Sequence, residues 1–107
     1  MPEHEETYQV VVSKRASGQL VSHAAFTARL EERLAYQLVE DFREAAASLK
    51  KFPYRNPVLR SDEFTTEKYR KMLFGKWYLM LYQIKGDTVL IEYVIDGRQD
   101  YQWLLKT

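Results

Sequence analysis

KYRKMLFGKWYLMLYQI, residues 68–84, is the stretch that decides the fold. Three of its first four residues are cations, and the rest is almost wholly apolar apart from Gly75-Lys76 and Gln83. Aromatic and aliphatic residues on both sides of Gly75-Lys76 predict two strands joined by a tight turn. A strand with one wet face alternates apolar and polar residues, and this stretch stops alternating, so both faces of its sheet need cover.

A third strand follows closely. Residues 88–96 are rich in β-branched side chains, and Lys85-Gly86-Asp87 supplies a second turn. Strands at about 67–74, 77–84 and 88–96 that are joined so briefly pair antiparallel and form a meander. Nearer the N-terminus, residues 8–13 (YQVVVS) predict one more strand.

The segment 16–52 has helical periodicity. Its apolar residues recur at spacings of three and four, and they are Leu30, Leu34, Leu38, Phe42, Ala45 and Leu49. One continuous helix would span ~55 Å, against a radius of gyration near ~13 Å for a domain of this size. The segment therefore folds back as a helical hairpin, with a break predicted either at Thr27, acting as an N-cap, or within residues 30–33. Pro53 is predicted to end the second helix, and residues 53–66 form a linker.

These elements predict an α+β fold in a single domain, residues 1–107, with the helical hairpin packed on one face of a small, mainly antiparallel sheet. The period-two rule divides the meander into two faces. The face expected to meet the helices carries Tyr69, Leu73, Tyr78, Met80, Tyr82, Ile84, Val89, Ile91, Tyr93 and Ile95. The second face carries Lys68, Arg70, Met72, Phe74, Trp77, Leu79, Leu81, Gln83, Leu90, Glu92 and Val94.

The second face is cationic at one end and apolar across its middle. Two helices cover only one side of the sheet, so this face is expected to meet the C-terminal segment, a second copy of the chain, or a dedicated partner. The residues expected to bind such a partner are Met72, Phe74, Trp77, Leu79 and Leu81.

Composition narrows the class of protein. The chain has 107 residues with 16 basic and 15 acidic side chains, so net charge does not indicate a nucleic-acid binder. It has no cysteine, which excludes disulfides and thiolate metal sites. The acidic start, MPEHEET, is unlike a signal peptide, and no apolar run approaches the ~20 residues of a membrane span. These features predict a soluble, cytoplasmic protein without membrane association.

Charge is nevertheless uneven along the chain. Residues 1–49 carry a net charge of −3, whereas residues 50–107 carry +4. The segment 50–76 alone holds eight basic and three acidic residues. Such an asymmetry is typical either of a surface for phosphates or of a solvated loop, and the sequence leaves both interpretations open.

No catalytic constellation stands out in the sequence. The two histidines, His4 and His23, are not paired for zinc, and the four glycines are too scattered for a nucleotide loop, so no metal and no cofactor is predicted. His23 is interpreted as a helix residue and not as a base. The cations and aromatics that remain are compatible with RNA binding. Arg98 differs from the others because it follows Gly97 at the end of the last strand, where a side chain projects beyond the sheet.

The order of these elements resembles the RelE/ParE superfamily of toxins from bacterial type II toxin–antitoxin pairs. The resemblance covers about residues 8–101 and is carried by YQVVVSKRA near the N-terminus, SLKKFP after the helical hairpin, KYRKMLFGKWYLMLYQI, and VLIEYVIDGRQDY at the end. Each motif alone is degenerate, but their order and spacing together are fairly specific. The resemblance implies a small antiparallel sheet backed by a helical hairpin, and an antitoxin that wraps the toxin. A higher-order toxin–antitoxin complex is an expectation as well.

The resemblance implies two alternative targets. RelE-like members cleave messenger RNA on the ribosome without a metal, and ParE-like members inhibit DNA gyrase. For the first, the resemblance assigns catalysis to Arg70, Arg98 and Tyr101, and the neighbouring basic residues expected to bind RNA are Arg60, Lys68, Lys71 and Lys76. Cations would orient the phosphate and stabilise developing charge while the 2′-hydroxyl attacks.

Two departures from the nuclease pattern bear on that choice. Leu79 stands where nuclease members often have an arginine, and Asp96 replaces the histidine of the terminal motif. A carboxyl group serves as a general acid near neutral pH only after a large rise in its pKa. These departures weaken the nuclease interpretation and leave the fold and the toxin assignment standing. The first prediction is still a toxin that acts as an mRNA endoribonuclease at the ribosome. The alternatives are a gyrase inhibitor, or an inactive toxin fold that only binds its antitoxin.

Overall fold

The computed structural model describes residues 7–59 and 68–98. Two helices pack on one face of a four-stranded mixed sheet, which confirms the predicted α+β fold. The elements are β1 (Gln9–Val12), α1 (Lys14–Leu30), α2 (Glu32–Ser48), a 3-10 turn (Pro53–Arg55), β2 (Arg70–Phe74), β3 (Tyr78–Lys85) and β4 (Thr88–Asp96). The strand order is β1-β4-β3-β2, with β1 parallel to β4 and the other two pairings antiparallel.

The helical hairpin breaks at Glu31. This residue has an extended backbone (φ −160°, ψ 120°), and its N–H donates to the Thr27 carbonyl at 3.0 Å. The prediction of a break within residues 30–33 is confirmed. The alternative at Thr27 is wrong, because this residue lies inside α1 and its hydroxyl donates to the His23 carbonyl.

The other helix ends also have local causes. Ser13 caps α1, since its hydroxyl accepts from the Ala16 N–H at 3.0 Å, and the helix begins two residues earlier than predicted. The second helix ends at Ser48 and not at Pro53. Leu49 to Lys51 form a turn, and Phe52 then adopts a left-handed backbone before the proline.

The main core lies between the helices and the sheet. Its α2 side comprises Leu38, Phe42, Ala45, Ala46 and Leu49, and its sheet side comprises Phe74, Met80, Tyr82, Val89, Ile91 and Val94. The first two residues of the predicted apolar stripe are not part of it, because Leu30 and Leu34 are exposed. The hairpin thus packs on the sheet through its open end and leaves its tip outside.

The predicted division of the sheet into two faces is wrong for β2. Met72 pairs with Met80 and Phe74 with Tyr78, so Met72 and Phe74 face the helices, and Phe74 is only 4% exposed. The connection between β2 and β3 is three residues long, 75–77, and not the two-residue turn that the sequence suggested. One extra residue reverses the register of every side chain on the strand.

The division is also wrong for the end of β4. A β-bulge lies between the pairs Leu81–Tyr93 and Tyr82–Ile91, where Glu92 is the extra residue. Beyond the bulge, Val94 faces the helices, whereas Tyr93 and Ile95 belong to the cluster on the other face.

The centre of the second face is buried within the single chain. Leu81 is 0% exposed, and it packs in one cluster with Tyr93, Ile95 and Leu59 of the linker. Leu59 reaches this face because residues 57–59 pair with the start of β2: the Leu59 N–H donates to the Tyr69 carbonyl at 2.7 Å. The expectation that this face waits for a foreign molecule is therefore wrong at its centre.

A buried tyrosine ties the linker to the sheet. The Tyr82 hydroxyl donates to the Pro53 carbonyl at 2.6 Å and accepts from the Asn56 side-chain amide at 3.0 Å. Burial raises the pKa of Tyr82, so its hydroxyl stays protonated and keeps donating.

Replacing Tyr82 with phenylalanine is expected to lower the free energy of unfolding by about 1–3 kcal/mol, because the Pro53 carbonyl and the Asn56 amide lose their partner. Urea denaturation of Tyr82→Phe measures it. The matched control is Tyr36→Phe, whose hydroxyl is carried by an exposed ring on α2. Equal stabilities of the two variants would contradict this account of the linker.

Candidate functional site: the tip groove and the two arginines

Several apolar side chains that the core leaves uncovered lie together at the tip of the helical hairpin. Phe26 is 59% exposed and Leu30 74% exposed, and Leu34 on α2 is exposed as well. Apolar side chains of this size that cluster on a surface are typical of an interface.

These side chains form one wall of a groove. The opposite wall consists of the β2–β3 connection, with Lys76 and Trp77, and of Arg98 after β4. The groove has a volume of about 430 Å³, and Asp41 of α2 lies in its lining. We call it the tip groove. Its exposed apolar residues are Phe26, Leu30, Leu34 and Trp77.

Arg98 is held at the rim of the tip groove. Its Nε and Nη2 donate to the two carboxylate oxygens of Asp96 at 3.0 and 2.7 Å, and its guanidinium stacks 4.2 Å from the centroid of the Trp77 ring. Gly97 makes this arrangement possible, because a Cβ there would lie 2.7 Å from the Trp77 carbonyl oxygen. The charge of Arg98 is thus offset by a neighbour two residues away.

The same ion pair fixes the ionisation of Asp96. Hydrogen bonds from Arg98 lower the pKa of the Asp96 carboxyl, outweighing the opposite effect of its burial. A carboxyl with a lowered pKa is ionised at neutral pH, which is the reverse of what a general acid needs.

Arg70 has a different set of partners. Its Nη1 donates to the carbonyls of Tyr54 and Asn56 at 3.1 and 2.7 Å, and its guanidinium lies 5.1 Å from the centroid of the Tyr54 ring. Arg70 therefore clamps the linker onto the start of β2.

The structure does not bring Arg70 and Arg98 together. Arg70 pairs with Tyr82 on one side of β3, whereas Asp96 pairs with Tyr78 on the other side. Four residues along β3 and two strand spacings across it place the two positions about 16 Å apart. Tyr101 and Arg60 lie outside the described residues, so their predicted roles stay predictions.

The remaining predicted RNA-binding residues are also dispersed. Lys68 and Lys71 lie near the start of β2, and the Lys68 ammonium is 5.2 Å from the centroid of the Tyr69 ring. Lys76 lies at the other end of β2, in the tip groove, with its ammonium 6.0 Å from the centroid of the Trp77 ring. These lysines do not form one phosphate-binding cluster.

The residues predicted to bind a partner are also separated. Phe74 and Leu81 are buried on opposite faces of the sheet, and Met72 packs against the main core. Of the five, only Trp77 is exposed, and it lines the tip groove. One sequence feature pointed to the groove. The apolar stripe of the hairpin continues through Leu34 to Leu30, past the end of the sheet.

His23 has a structural position, as interpreted from the sequence. Its Nε2 lies 3.1 Å from the Val94 carbonyl, which can only accept, so this nitrogen carries a proton. Its ring packs beside Tyr78 at a centroid distance of 5.3 Å. His23 therefore joins α1 to β4.

Neither a metal site nor a membrane-spanning helix is found among the described residues. Across residues 7–59 and 68–98, no group of three or more histidine, aspartate and glutamate side chains is placed to hold a metal ion. Within the same ranges no helix has the length and apolarity to cross a bilayer.

A family model agrees with the order of elements. The model of the ParE toxin of the type II toxin–antitoxin system, parDE, matches residues 10–101. The chain belongs to the ParE toxin family. It is therefore a ParE-type toxin of a toxin–antitoxin system, and membership in the RelE/ParE superfamily is confirmed.

A solved structure has the same fold. It is the chromosomal ParDE toxin–antitoxin system from P. aeruginosa, which superposes with a TM-score of 0.71 over 85% of this chain and 97% of that chain, at 15% identity. No curated protein sequence matches this chain significantly.

The ion pair at the groove rim predicts a specific response to acid. Asp96→Asn is expected to be less stable than the parent chain at neutral pH, because two charge-assisted hydrogen bonds are weakened. A carboxyl whose pKa is lowered by folding stabilises the fold above its ordinary pKa of 3.8, and this stabilisation is lost as pH falls through its folded value. The difference between the two proteins should therefore narrow below pH 3.8.

Chemical denaturation at several acidic pH values measures this difference. Asp87→Asn, at an exposed turn position, is the control for the loss of one surface carboxylate. A difference that stays constant down to the lowest pH would contradict the role given to the Asp96–Arg98 pair.

Proposed function

We propose that this ParE-type toxin acts by binding DNA gyrase, and that it does not cleave messenger RNA. The observation that supports this choice is the separation of Arg70 from Arg98, each held by partners of its own. Cleavage of a phosphodiester needs cations that converge on one phosphate. Binding to a large protein has no such requirement.

The two departures from the nuclease pattern support the same choice. Leu79 pairs with Leu73 and Ile95, so no guanidinium projects from β3 at that place. Asp96 stands where the terminal histidine would be, and its lowered pKa leaves it without a proton to donate. The endoribonuclease predicted from the resemblance therefore lacks its acid as well as its paired cations among the described residues.

We also propose that the antitoxin binds in the tip groove. The solved structure with the same fold is a ParDE toxin–antitoxin system, which makes an antitoxin the expected partner here. An amphipathic helix buries a row of apolar residues in such a groove and presents polar residues to its rims. Trp77 is the expected anchor, since buried aromatic residues carry much of the energy of interfaces.

The choice of target is tested by inducing the chain without its antitoxin. We expect plasmid supercoiling to relax before protein synthesis falls, and the purified chain to inhibit supercoiling by gyrase in vitro. Synthesis that stops first, with cleaved messages, would contradict the proposal and favour the ribonuclease. Normal growth with intact supercoiling would instead indicate an inactive toxin fold.

The groove is tested with substitutions on the hairpin tip. Phe26→Ala and Leu30→Ala should each weaken antitoxin binding by about tenfold, because truncation of an apolar anchor costs more than 1 kcal/mol. Calorimetry with the cognate antitoxin gives the affinities. Val21→Ala is the matched control, an exposed apolar residue of α1 outside the groove. Equal affinities of all three variants would place the antitoxin elsewhere.

A further inference from the structure

The turn after α2 displays an exposed phenylalanine on a strained backbone. Phe52 has φ 55° and ψ 50°, the left-handed region, and is 71% exposed. A phenylalanine in this region is uncommon, and the residue before a proline is normally pushed to an extended backbone. Packing does not explain the conformation, since the ring is largely in solvent.

The surrounding structure holds Phe52 in place. Arg55 donates through Nη1 to the carbonyls of Ser48, Lys51 and Phe52, at 3.2, 3.0 and 3.2 Å. On the other side, Pro53 is buried and its carbonyl accepts from Tyr82. Strain that is fixed from both sides is typical of a functional position.

A second exposed ring lies two residues away. Tyr54 is 57% exposed, its ring packs edge-to-face on Tyr8, and the guanidinium of Arg70 stacks against it. The Tyr54 ring and the backbone that carries Phe52 are thus held in place, which lowers the entropic cost of binding a ligand there.

The chain segment that carries the two rings has charges of one sign. Between Ser48 and Leu59 the chain carries Lys50, Lys51 and Arg55 and no carboxylate, and Arg70 adds a fourth cation. Arg55 and Arg70 build the turn, and the two lysines are exposed beside it, where they can contact phosphates. This surface lies beyond the C-terminal end of α2, which is about 21 Å along the helix from Leu34 in the tip groove.

We infer that the Phe52 turn is a binding site for single-stranded nucleic acid, in which a base stacks on Phe52 and the backbone phosphates contact Lys50 and Lys51. Proteins that bind single strands without reading their sequence stack the bases on aromatic side chains and contact the backbone with cations. An acidic peptide would use the cations but has no need of a flat ring on a strained backbone. The inference does not depend on gyrase being the target and involves no cleavage.

Phe52→Gly tests the site without endangering the fold. Glycine adopts φ 55° freely, so the variant removes the ring and relieves the strain together. We expect its melting temperature to stay within about 3 °C of the parent chain or to rise. Its affinity for a short labelled single strand, measured by fluorescence anisotropy, should fall about tenfold.

Controls separate stacking from charge. Phe26→Ala, an exposed phenylalanine in the tip groove, should bind the strand like the parent chain. A strand of equal length without bases should bind the parent chain about tenfold more weakly and should not distinguish it from Phe52→Gly. Changing both lysines to glutamine should lower the slope of log affinity against log salt by about 1.4, at about 0.7 per phosphate.

DNA and RNA strands are compared to find which the site prefers. The inference is overturned if Phe52→Gly binds like the parent chain, if the abasic strand binds equally well, or if an acidic peptide of the same charge competes equally. These are direct binding measurements, so their failure is distinguishable from a failure of the gyrase proposal.

Discussion

Hydrogen bonds from Tyr82 and Arg70 hold the linker on the sheet, and the rest of the structure depends on them. The described part of the linker, residues 53–59, has no helix longer than one turn and no strand of its own. Its carbonyls at Pro53, Tyr54 and Asn56 nevertheless all have donors from the sheet. An unsatisfied carbonyl in this position would cost as much as a lost hydrogen bond. With these donors in place, residues 57–59 can pair with β2 and bring Leu59 over the second face. The sheet is thus covered on both faces, although only one face has helices.

This arrangement makes the two ends of the molecule different. At the linker end, the backbone carbonyls are paired, so Phe52 and Tyr54 are exposed on a fixed backbone. At the hairpin tip, α1 and α2 extend past the sheet, and Phe26, Leu30 and Leu34 have no layer beneath them. Burying those three side chains is favourable by about 1.5–3 kcal/mol each, so the tip groove is where a partner gains most.

Whether a feature of this fold can be predicted from the sequence depends on whether neighbouring residues or distant ones determine it. The meander and the hairpin follow from periodicity and chain length, which are local or nearly so, whereas the break of the hairpin could be placed only at Thr27 or within residues 30–33. The faces of the sheet do not follow from these, because one residue in the connection 75–77 and one in the bulge at Glu92 each reverse a register. Phe74 and Leu81 therefore looked like neighbours on an open face and are buried on opposite faces.

The two arginines show the same limit for the site. The sequence places them at strand ends, where an arginine is available either for a ligand or for the chain itself. Which one applies depends on partners that are distant in sequence, such as the Asn56 carbonyl for Arg70, or that depend on a turn, such as Asp96 for Arg98. Only Gly97 gave a hint, since a glycine between Asp96 and Arg98 lets the chain approach the Trp77 carbonyl.

The distance between the two surfaces has a consequence for how the chain is controlled. A helix seated in the tip groove would cover Trp77 and the Asp96–Arg98 pair, but about 21 Å of α2 lies between Leu34 in the groove and the turn that carries Phe52 and Tyr54. A ligand on the turn and a partner in the groove would therefore not compete for space. Any coupling between them would have to pass through α2 and β3, which are joined by the packing of Leu38, Phe42 and Leu49 on Met80 and Tyr82. Since packed cores change between discrete arrangements and do not deform continuously, two such sites on one rigid layer are expected to bind independently.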